Sequence, residues 1–316
     1  MLRRIMFGAN IPQAGVAYED VKRTVLECER HGFDFVWISD HLEDFIAQNS
    51  YLECWTTLSA IAEATQKIRL CTLVLNNQFR HPSLLAKMAA TLDTISKGRL
   101  DFGIGAGWLE KECVSNGIQF PSASVRIEQL EEAIRLIREL WRSDNVSFAG
   151  KYYSLTSASC NPKPVQIPYP PIWVGVMKSG TRMLEMIAKY ADVWTISSLY
   201  LPQPNEYQRI RLSLDEICRK IGRNPSLLRS AVGVGCVVAK DEAKLREKVQ
   251  KFKPVSISTK NYTTKQMRIE GTPDQCIEAL RVYAQLGVTR FVMNFPDIVT
   301  ADSIKLFGEN VIRAFE

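Results

Sequence analysis

The sequence predicts an α/β protein with the TIM, or (β/α)8, barrel fold, carrying insertions after the fourth and seventh strands. Two observations favour this fold: mainly apolar segments of strand length alternate with helical segments, and polar residues that could carry chemistry directly follow the strands. No internal stretch has the composition of a linker, so residues 1–316 are expected to form a single domain.

The predicted strands are short apolar runs, as expected for a parallel sheet that is buried on both faces. In chain order they are Ile5–Ala9, Phe33–Ser39, Ile68–Leu75, Leu100–Gly105, Ile172–Val176, Val193–Ile196, Ala231–Ala239 and Arg290–Phe295.

The predicted helices carry apolar residues three or four positions apart. Asp241 and Thr272 are expected N-caps, and Pro82 and Pro273 suit the first turn of a helix. A further helix is expected to begin at residues 178–180. The helices with two predicted ends are Tyr18–His31, Glu53–Thr65, Pro82–Ile95, Val125–Trp141, Pro204–Ile221, Glu242–Phe252, Pro273–Leu286 and Thr300–Phe315.

Two segments depart from the simple alternation and are expected as insertions. A small hairpin over Phe148–Tyr153 follows the fourth helix, and the polar stretch Lys253–Glu270 follows the helix after the seventh strand. The polar stretch is expected to be irregular, as either a mobile lid over the barrel mouth or a solvated surface loop. A doubly wound sheet is the alternative fold, but Asn10–Gln13 lacks the G-x-G-x-x-G turn typical of it.

The composition is that of a soluble globular protein and disfavours several function classes. Hydrophobic residues make up 46% and charged residues 23%, and the net charge of +6 is spread along the chain, which does not favour a nucleic-acid partner. No apolar run approaches the roughly 18 residues of a membrane span, and no signal-peptide pattern is present. The eight cysteines form no C-x-x-C pair, which favours a reducing, cytoplasmic location.

Asp40 and His41 are the first candidates for chemistry, because they directly follow a predicted strand. Barrel enzymes form their active sites at the C-terminal ends of the strands. The alternative is that Asp40 caps a turn and His41 is a solvated loop residue. A metal site is not expected, because the chain has only three histidines and no carboxylate cluster follows another strand.

Two glycine-containing strand ends complete the predicted mouth. Gly103–Gly107 lets the backbone approach a flat ligand, with Trp108 beside it as a stacking surface; turn-forming glycines and a core tryptophan are the alternatives. Gly175–Gly180 joins a strand to a helix N-terminus, where free amides with Lys178 and Ser179 could bind an anion. An ordinary strand-to-helix turn is the alternative there.

A set of short motifs runs through the chain in a defined order. The motifs are Asp40-His41, His81-Pro82 with Leu85-Ala86 and Asp93, Ser96–Leu100, Gly103–Trp108, Tyr152-Tyr153 with Pro162–Pro164, Pro170–Gly175, and Ala191-Asp192. From Ile5 to Phe295 the chain thereby resembles the bacterial-luciferase-like superfamily. Within that superfamily it resembles the branch that uses the deazaflavin coenzyme F420, to which methylenetetrahydromethanopterin reductase belongs.

The resemblance implies an isoalloxazine-like ring in the barrel mouth, with Asp40 at its pyrimidine side and His41 near the reacting carbon. It also implies a non-prolyl cis peptide at Leu73–Val74 behind the ring, and a phosphate site at the amides of residues 176–180. The expected catalytic residues are His41 and Asp40. The expected cofactor-binding residues are Asp40, Leu73, Val74, Asn76, Ala106, Gly107, Trp108, Gly175, Val176, Met177, Lys178, Ser179 and Gly180.

The function implied by the resemblance is hydride transfer between F420 and a small organic substrate, by a homodimeric enzyme. FMN-dependent monooxygenation with O₂ and non-catalytic binding of a flavin or deazaflavin are the alternatives. The sugar-phosphate dehydrogenases of this branch carry Glu where Trp108 stands, and their substrate-phosphate lysine is not evident near Ser197-Ser198. A sugar phosphate substrate is therefore not expected. The usual Gly-Gly pair before the fifth helix is Gly175-Val176 in this chain.

Overall fold

A computed structural model describes residues 4–176, 180–196, 203–253, 256–259, 262–265 and 268–316. Within these residues the strands are β1 (Met6–Asn10), β2 (Phe35–Ile38), β3 (Arg69–Thr72), β4 (Leu75–Asn76), β5 (Leu100–Gly105), β6 (Val146–Ala149), β7 (Ser154–Ala158), β8 (Ile172–Val176), β9 (Val193–Ile196), β10 (Arg229–Val238), β11 (Ser256–Thr259), β12 (Tyr262–Lys265), β13 (Arg268–Gly271) and β14 (Arg290–Asn294).

The strands close a parallel ring in the order β1, β2, β3, β5, β8, β9, β10, β14 and back to β1. In the described part of the chain this is an eight-stranded barrel surrounded by helices, and the predicted TIM-barrel fold is confirmed. The first strand pairs with the last, so the two ends of the chain meet within one sheet. None of the described helices is both long enough and apolar enough to cross a membrane.

The helices have bounds close to the predicted ones, because local capping defines their starts. His81 and Asp241 accept hydrogen bonds at the starts of the third and eighth helices, and Thr272 forms a capping box with Gln275. The expected helix Thr300–Phe315 is shorter than predicted and continues as a 3-10 turn. The described helices are α1 (Tyr18–Arg30), α2 (Cys54–Ala64), α3 (Pro82–Ile95), α4 (Glu110–Ser115), α5 (Ala123–Arg142), α6 (Thr181–Tyr190), α7 (Pro204–Lys220), α8 (Glu242–Lys251), α9 (Pro273–Gln285) and α10 (Asp302–Asn310).

The hydrophobic core has two layers, one between the ring and its helices and one inside the ring. Phe7 stacks on Phe291 at 5.4 Å in the outer layer, with Phe307 against its edge. Burying each such side chain stabilises the fold by roughly 1.5–3 kcal/mol. The inner layer consists of Phe35, Trp37, Cys71, Trp173, Val193, Ala231 and Val292.

The third predicted strand is not continuous, which corrects the expected Ile68–Leu75 strand. The strand is interrupted between β3 and β4, where the Leu73–Val74 peptide is cis, as the resemblance implied. The side chain of Val74 fills space that glycines leave open in neighbouring strands. A Cβ at Gly105 would lie 2.7 Å from Cγ2 of Val74, and one at Gly175 would lie 3.1 Å from its Cγ1.

The same break explains a third glycine. A Cβ at Gly103 would lie 1.8 Å from the carbonyl oxygen of Thr72, so only glycine fits beside this backbone. Gly103 and Gly105 therefore accommodate the irregular exit of β3, a role that the reading of Gly103–Gly107 as a ligand-approach segment did not include.

The hairpin β6–β7 lies between α5 and β8. Glu132 of α5 holds its turn by accepting hydrogen bonds from the amides of Lys151 (3.1 Å), Tyr152 (3.0 Å) and Tyr153 (2.7 Å). A buried carboxylate that accepts several amide hydrogen bonds fixes a turn more firmly than a neutral acceptor would.

The expectation that Lys253–Glu270 is irregular is wrong. Strands β11 and β12 pair as an antiparallel hairpin, and β13 pairs in parallel with the second half of β10. The physical reason is the length of β10: it continues past its pairing with β9, which ends at Val232, and past its pairing with β14, which ends at Gly235, and so offers free backbone groups to β13. Residues 254–255, 260–261 and 266–267 lie outside the described residues, and the lid role stays a prediction.

Candidate active site

Asp40 and His41 lie at the C-terminal end of the barrel, directly after β2. The exits of β1 and β2 are tied together by Gln13, which is 5% exposed. Its Nε2 donates to the carbonyl oxygens of Ser39 (3.0 Å) and Leu52 (2.9 Å), and its Oε1 accepts from the amide of Ser39 (3.0 Å). Gln13 was not among the predicted site residues, although it anchors the loop that carries His41.

His41 forms a hydrogen-bonded pair with a buried glutamate. Its Nδ1 lies 3.0 Å from Oε2 of Glu112, whose side chain is 1% exposed, while the imidazole is 14% exposed. The other carboxylate oxygen, Oε1, accepts the amide of Leu42 at 2.7 Å. Because the carboxylate accepts from Nδ1–H, Nε2 is the nitrogen of His41 that can take up or release a proton.

Glu112 was missed by the sequence reasoning. It lies on the short helix α4, which was not predicted, and it is 71 positions from His41. No local pattern in the sequence marks Glu112. Its neighbours Glu110 and Lys111 are also charged, and the segment has the composition of a solvated loop.

An aromatic corner surrounds the imidazole. The ring centroid of His41 lies 4.7 Å from that of Phe45 and 5.8 Å from that of Trp108. The centroids of Phe45 and Trp108 are 5.4 Å apart. The contacts with Trp108 are edge-to-face, a favourable arrangement of aromatic quadrupoles. All three side chains are partly exposed, so the corner forms an apolar wall of the mouth beside one titratable nitrogen.

Asp40 is the centre of a separate buried network. Its carboxylate accepts both Nη1 (2.7 Å) and Nη2 (3.0 Å) of Arg80 and the amide of Asn76 (2.9 Å). Arg80 also donates to Glu53 at 2.8 Å. Burial would lower the pKa of Arg80, but the hydrogen bonds and charge of Asp40 outweigh burial and raise it.

This network makes Asp40 a positioning residue for the exit of β4. Its side chain is 1% exposed. A direct contact between Asp40 and a cofactor ring stays a prediction.

The floor of the mouth is small and apolar. Leu73, Val74, Ala106, Gly107 and Gly175 are partly exposed. Gly107 has φ +77°, and a Cβ there would lie 2.5 Å from Oδ1 of Asn76, so glycine is required on both counts. A low apolar floor beside an aromatic corner fits a flat heteroaromatic ring.

Tyr153 adds a polar group near the exit of β4. Its hydroxyl accepts Nδ2 of Asn77 at 3.2 Å, and burial raises the pKa of this tyrosine. The Oδ1 of Asn77 is buried and has no hydrogen-bond partner within the described residues. Tyr153 belongs to a motif that was noted in the sequence, but its proximity to Asn77 depends on the turn held by Glu132.

The predicted anion loop is described only at its ends. Strand β8 ends at Val176, and Gly180 is the N-cap of α6, with its carbonyl accepting the amides of Met183 (3.0 Å) and Leu184 (3.1 Å). Met177, Lys178 and Ser179 lie outside the described residues, so phosphate binding by this loop stays a prediction. No group of three or more potential metal ligands occurs in the described part of the chain.

The fold and this site define a (β/α)8-barrel protein whose mouth combines an apolar floor with a histidine–glutamate pair. The chain belongs to the luciferase-like monooxygenase family, whose family model matches residues 5–266. The predicted superfamily is thereby confirmed.

Similar proteins of known activity span most of the chain. An F420-dependent glucose-6-phosphate dehydrogenase of Microbacterium testaceum is 26% identical and covers 90% of this chain and 89% of its own length. An FMNH(2)-dependent dimethylsulfone monooxygenase of Pseudomonas putida is 28% identical over 73% of this chain and 62% of its own length. A solved F420-dependent secondary alcohol dehydrogenase, in complex with an F420-acetone adduct, superimposes with a TM-score of 0.84 at 22% identity and covers 99% of each chain.

Proposed function

We propose that this protein is an oxidoreductase that transfers a hydride between coenzyme F420 and a small organic substrate. The observation that carries the proposal is the pair of His41 with buried Glu112, beside an apolar floor and an aromatic corner. The near full-length relative with an F420-dependent activity supports the choice of cofactor.

The residues of the floor suit the cofactor by shape and polarity. The ring would lie over Val74, Ala106, Gly107 and Gly175, with Trp108 at its edge. The cofactor phosphate would be bound by residues 176–180. When bound, the deazaflavin supplies a ring carbon that accepts or releases the hydride. The protein contributes orientation and an environment that excludes water.

The proton that accompanies the hydride is the task we assign to His41. Its Nε2 takes up or releases this proton, while Glu112 holds the orientation of the imidazole ring. Phe45 and Trp108 pack against the imidazole and reduce its contact with bulk water.

The test is the His41→Ala variant. We expect it to bind F420 with nearly unchanged affinity in a fluorescence titration, and to lose on the order of 100-fold or more in the rate of hydride transfer in single-turnover absorbance measurements. His31→Ala is the matched control, because His31 also pairs with carboxylates but lies on the outer helix layer. A wild-type rate in His41→Ala would remove the assignment.

The aromatic corner supports an uncharged substrate. Trp108 stands where the sugar-phosphate dehydrogenases carry a carboxylate, and Phe45 extends the apolar wall. We therefore expect oxidation of small secondary alcohols and no oxidation of glucose 6-phosphate when F420 is supplied. Turnover of glucose 6-phosphate would contradict this choice without affecting F420 dependence.

Flavin-dependent monooxygenation is the second candidate function. The family model and the dimethylsulfone monooxygenase relative favour it. The mass and absorbance spectrum of the copurified cofactor separate the two candidates, as does O₂ consumption with reduced FMN. Coenzyme binding without turnover of any donor or acceptor would instead indicate a non-catalytic binding protein.

We further propose that the protein is a cytoplasmic homodimer. All eight cysteines are free thiols and buried, which supports a reducing compartment. Exposed Leu42, Ile46 and Val114 lie in the chain segments that carry His41 and Glu112, and they offer apolar surface for a partner. Light scattering on the purified protein gives the oligomeric state directly.

A further inference from the structure

A second cavity lies at the end of the barrel opposite the mouth. Its volume is about 580 Å³, and it is lined by the residues at the starts of β1, β10 and β14 and by neighbouring loops. Four guanidinium groups face one carboxylate there. They belong to Arg4, Arg223, Arg229 and Arg290, and the carboxylate belongs to Asp192.

Arg290 is the most buried of these cations, and its guanidinium lies over the ring of Trp173, 5.5 Å from the ring centroid. The residue is 7% exposed, and Val292, two positions along β14, lies in the inner core layer, so both side chains point into the barrel. Its Nε is buried without a hydrogen-bond partner among the described residues, and Nη1 is 3.3 Å from Oγ1 of Thr289. Burial and the charge of Arg229 lower the pKa of Arg290 to about 10.

Three of the other charged groups around the cavity, Arg4, Arg223 and Asp192, already have partners. Arg4 donates to Asp34 at 2.7 Å, and Arg223 donates to the carbonyl oxygens of Ala188 (2.7 Å) and Ala191 (2.6 Å). Oδ2 of Asp192 accepts the amide of Ile172 at 2.9 Å.

Deeper in the ring the charge is balanced. Arg69 forms a bidentate pair with Asp101, at 3.0 and 2.9 Å. Arg229 and Arg290 thus remain as the two cations of the cavity whose charge a bound anion would neutralise.

We propose that this cavity is a binding site for a phosphate group, with Arg229 and Arg290 as its ligands. A guanidinium fork matches the geometry of phosphate oxygens, and a dianion between two arginines relieves the repulsion that lowers the pKa of one of them. The volume falls within the range of roughly 300–1,000 Å³ of small-ligand pockets, so the cavity has room for a phosphorylated small molecule as well as for free phosphate. The site is separate from the mouth and does not depend on the proposed catalysis.

The experiment measures phosphate binding while the mouth is saturated with F420, so that the predicted cofactor-phosphate loop is occupied. Calorimetric titration with inorganic phosphate and, in a second arm, with ribose 5-phosphate distinguishes free phosphate from a phosphorylated metabolite. Sodium chloride at matched ionic strength is the control for screening. We expect saturable binding of one phosphate group per chain and a rise in Tm that chloride does not reproduce.

Variants assign the binding to this cavity. Arg290→Met and Arg229→Gln should each weaken the affinity about tenfold or more, because each removes a charge-assisted hydrogen-bond donor. Arg209→Gln, which changes an exposed arginine of α7, should leave the affinity unchanged.

Arg290→Met should also leave the Tm without phosphate unchanged or raised, since the buried charge it removes is poorly compensated. Absence of saturable binding, equal binding in all variants, or loss of binding on saturation with F420 would each overturn the proposal. If Arg290→Met does not fold, Arg229→Gln alone decides, because it alters a partly exposed side chain.

Discussion

At the mouth of the barrel, Arg80 is paired in a bidentate contact with Asp40, whereas at the opposite end Arg290 is buried and its Nε has no partner within the described residues. Both residues lie at an end of the same ring of strands. At the mouth Arg80 and Asp40 neutralise one another, and the surface beside them is apolar apart from the pair of His41 and Glu112. At the opposite end positive charge is left over, which favours an anion.

The largest effect should come from removing a cation at the mouth. Arg80→Met leaves the carboxylate of Asp40 buried without its counter-charge and should reduce the free energy of unfolding by about 3–5 kcal/mol in urea denaturation. Arg290→Met at the other end should cause no such loss. Equal destabilisation by both variants would break the comparison between the two ends.

Glu112→Gln should reduce catalysis more than stability. It keeps the shape of the side chain but removes the charge facing His41, so we expect kcat/KM to fall on the order of 100-fold. Glu132→Gln is the matched control, since Glu132 is also buried and also accepts backbone amides. An unchanged kcat/KM in Glu112→Gln would show that Glu112 is only structural.

The glycine contacts of Val74 should appear as a coupling between two substitutions. Gly105→Ala brings a Cβ to 2.7 Å from Val74 and should reduce the free energy of unfolding by about 1–3 kcal/mol. Adding Val74→Ala should recover part of this loss, measured as the interaction energy of a double-mutant cycle. Simple additivity would mean that the two side chains do not compete for the same space.

The smallest effect concerns the cap of α2. Burial would raise the pKa of Glu53, but hydrogen bonds from Thr56 and Trp55 and the charge of Arg80 outweigh it, so its pKa lies below its ordinary value of 4.5. A carboxylate with a lowered pKa in the folded state stabilises the fold above the unfolded value and loses this contribution as the pH falls through the folded value. Because the Glu53 side chain is 38% exposed and screened by solvent, Glu53→Gln should reduce the free energy of unfolding near neutral pH by less than about 1 kcal/mol, and this difference from the wild type should disappear as the pH falls through the lowered pKa of Glu53.

The order of strands and helices could be predicted because it is encoded locally. Strands buried on both faces form apolar runs, and caps such as Asp241 and Thr272 mark helix starts. The break after Thr72 could not be predicted in this way, because it depends on glycines in β5 and β8 that are distant in sequence. Strand β13 was missed for a similar reason, since its partner is the unusually long end of β10.

The position of Asp40 and His41 could be predicted from the strand they follow, but not their partners. Arg80 is 40 positions and Glu112 is 71 positions from the residue that each contacts. Such contacts are set by how neighbouring strand ends meet in the ring. The sequence therefore predicted Asp40 and His41 as site residues but not the residue that each of them contacts.

The ten-residue strand β10 makes the rim of the mouth uneven in height. Its residues 229–235 pair with β9 or β14 inside the ring, and its last three residues extend beyond both strands together with β13. In the ring order β10 stands opposite β3, and β3 is the strand that leads to Val74 in the floor. Selection could therefore change which molecules enter by lengthening or shortening this one strand pair, without altering the ring that folds the protein.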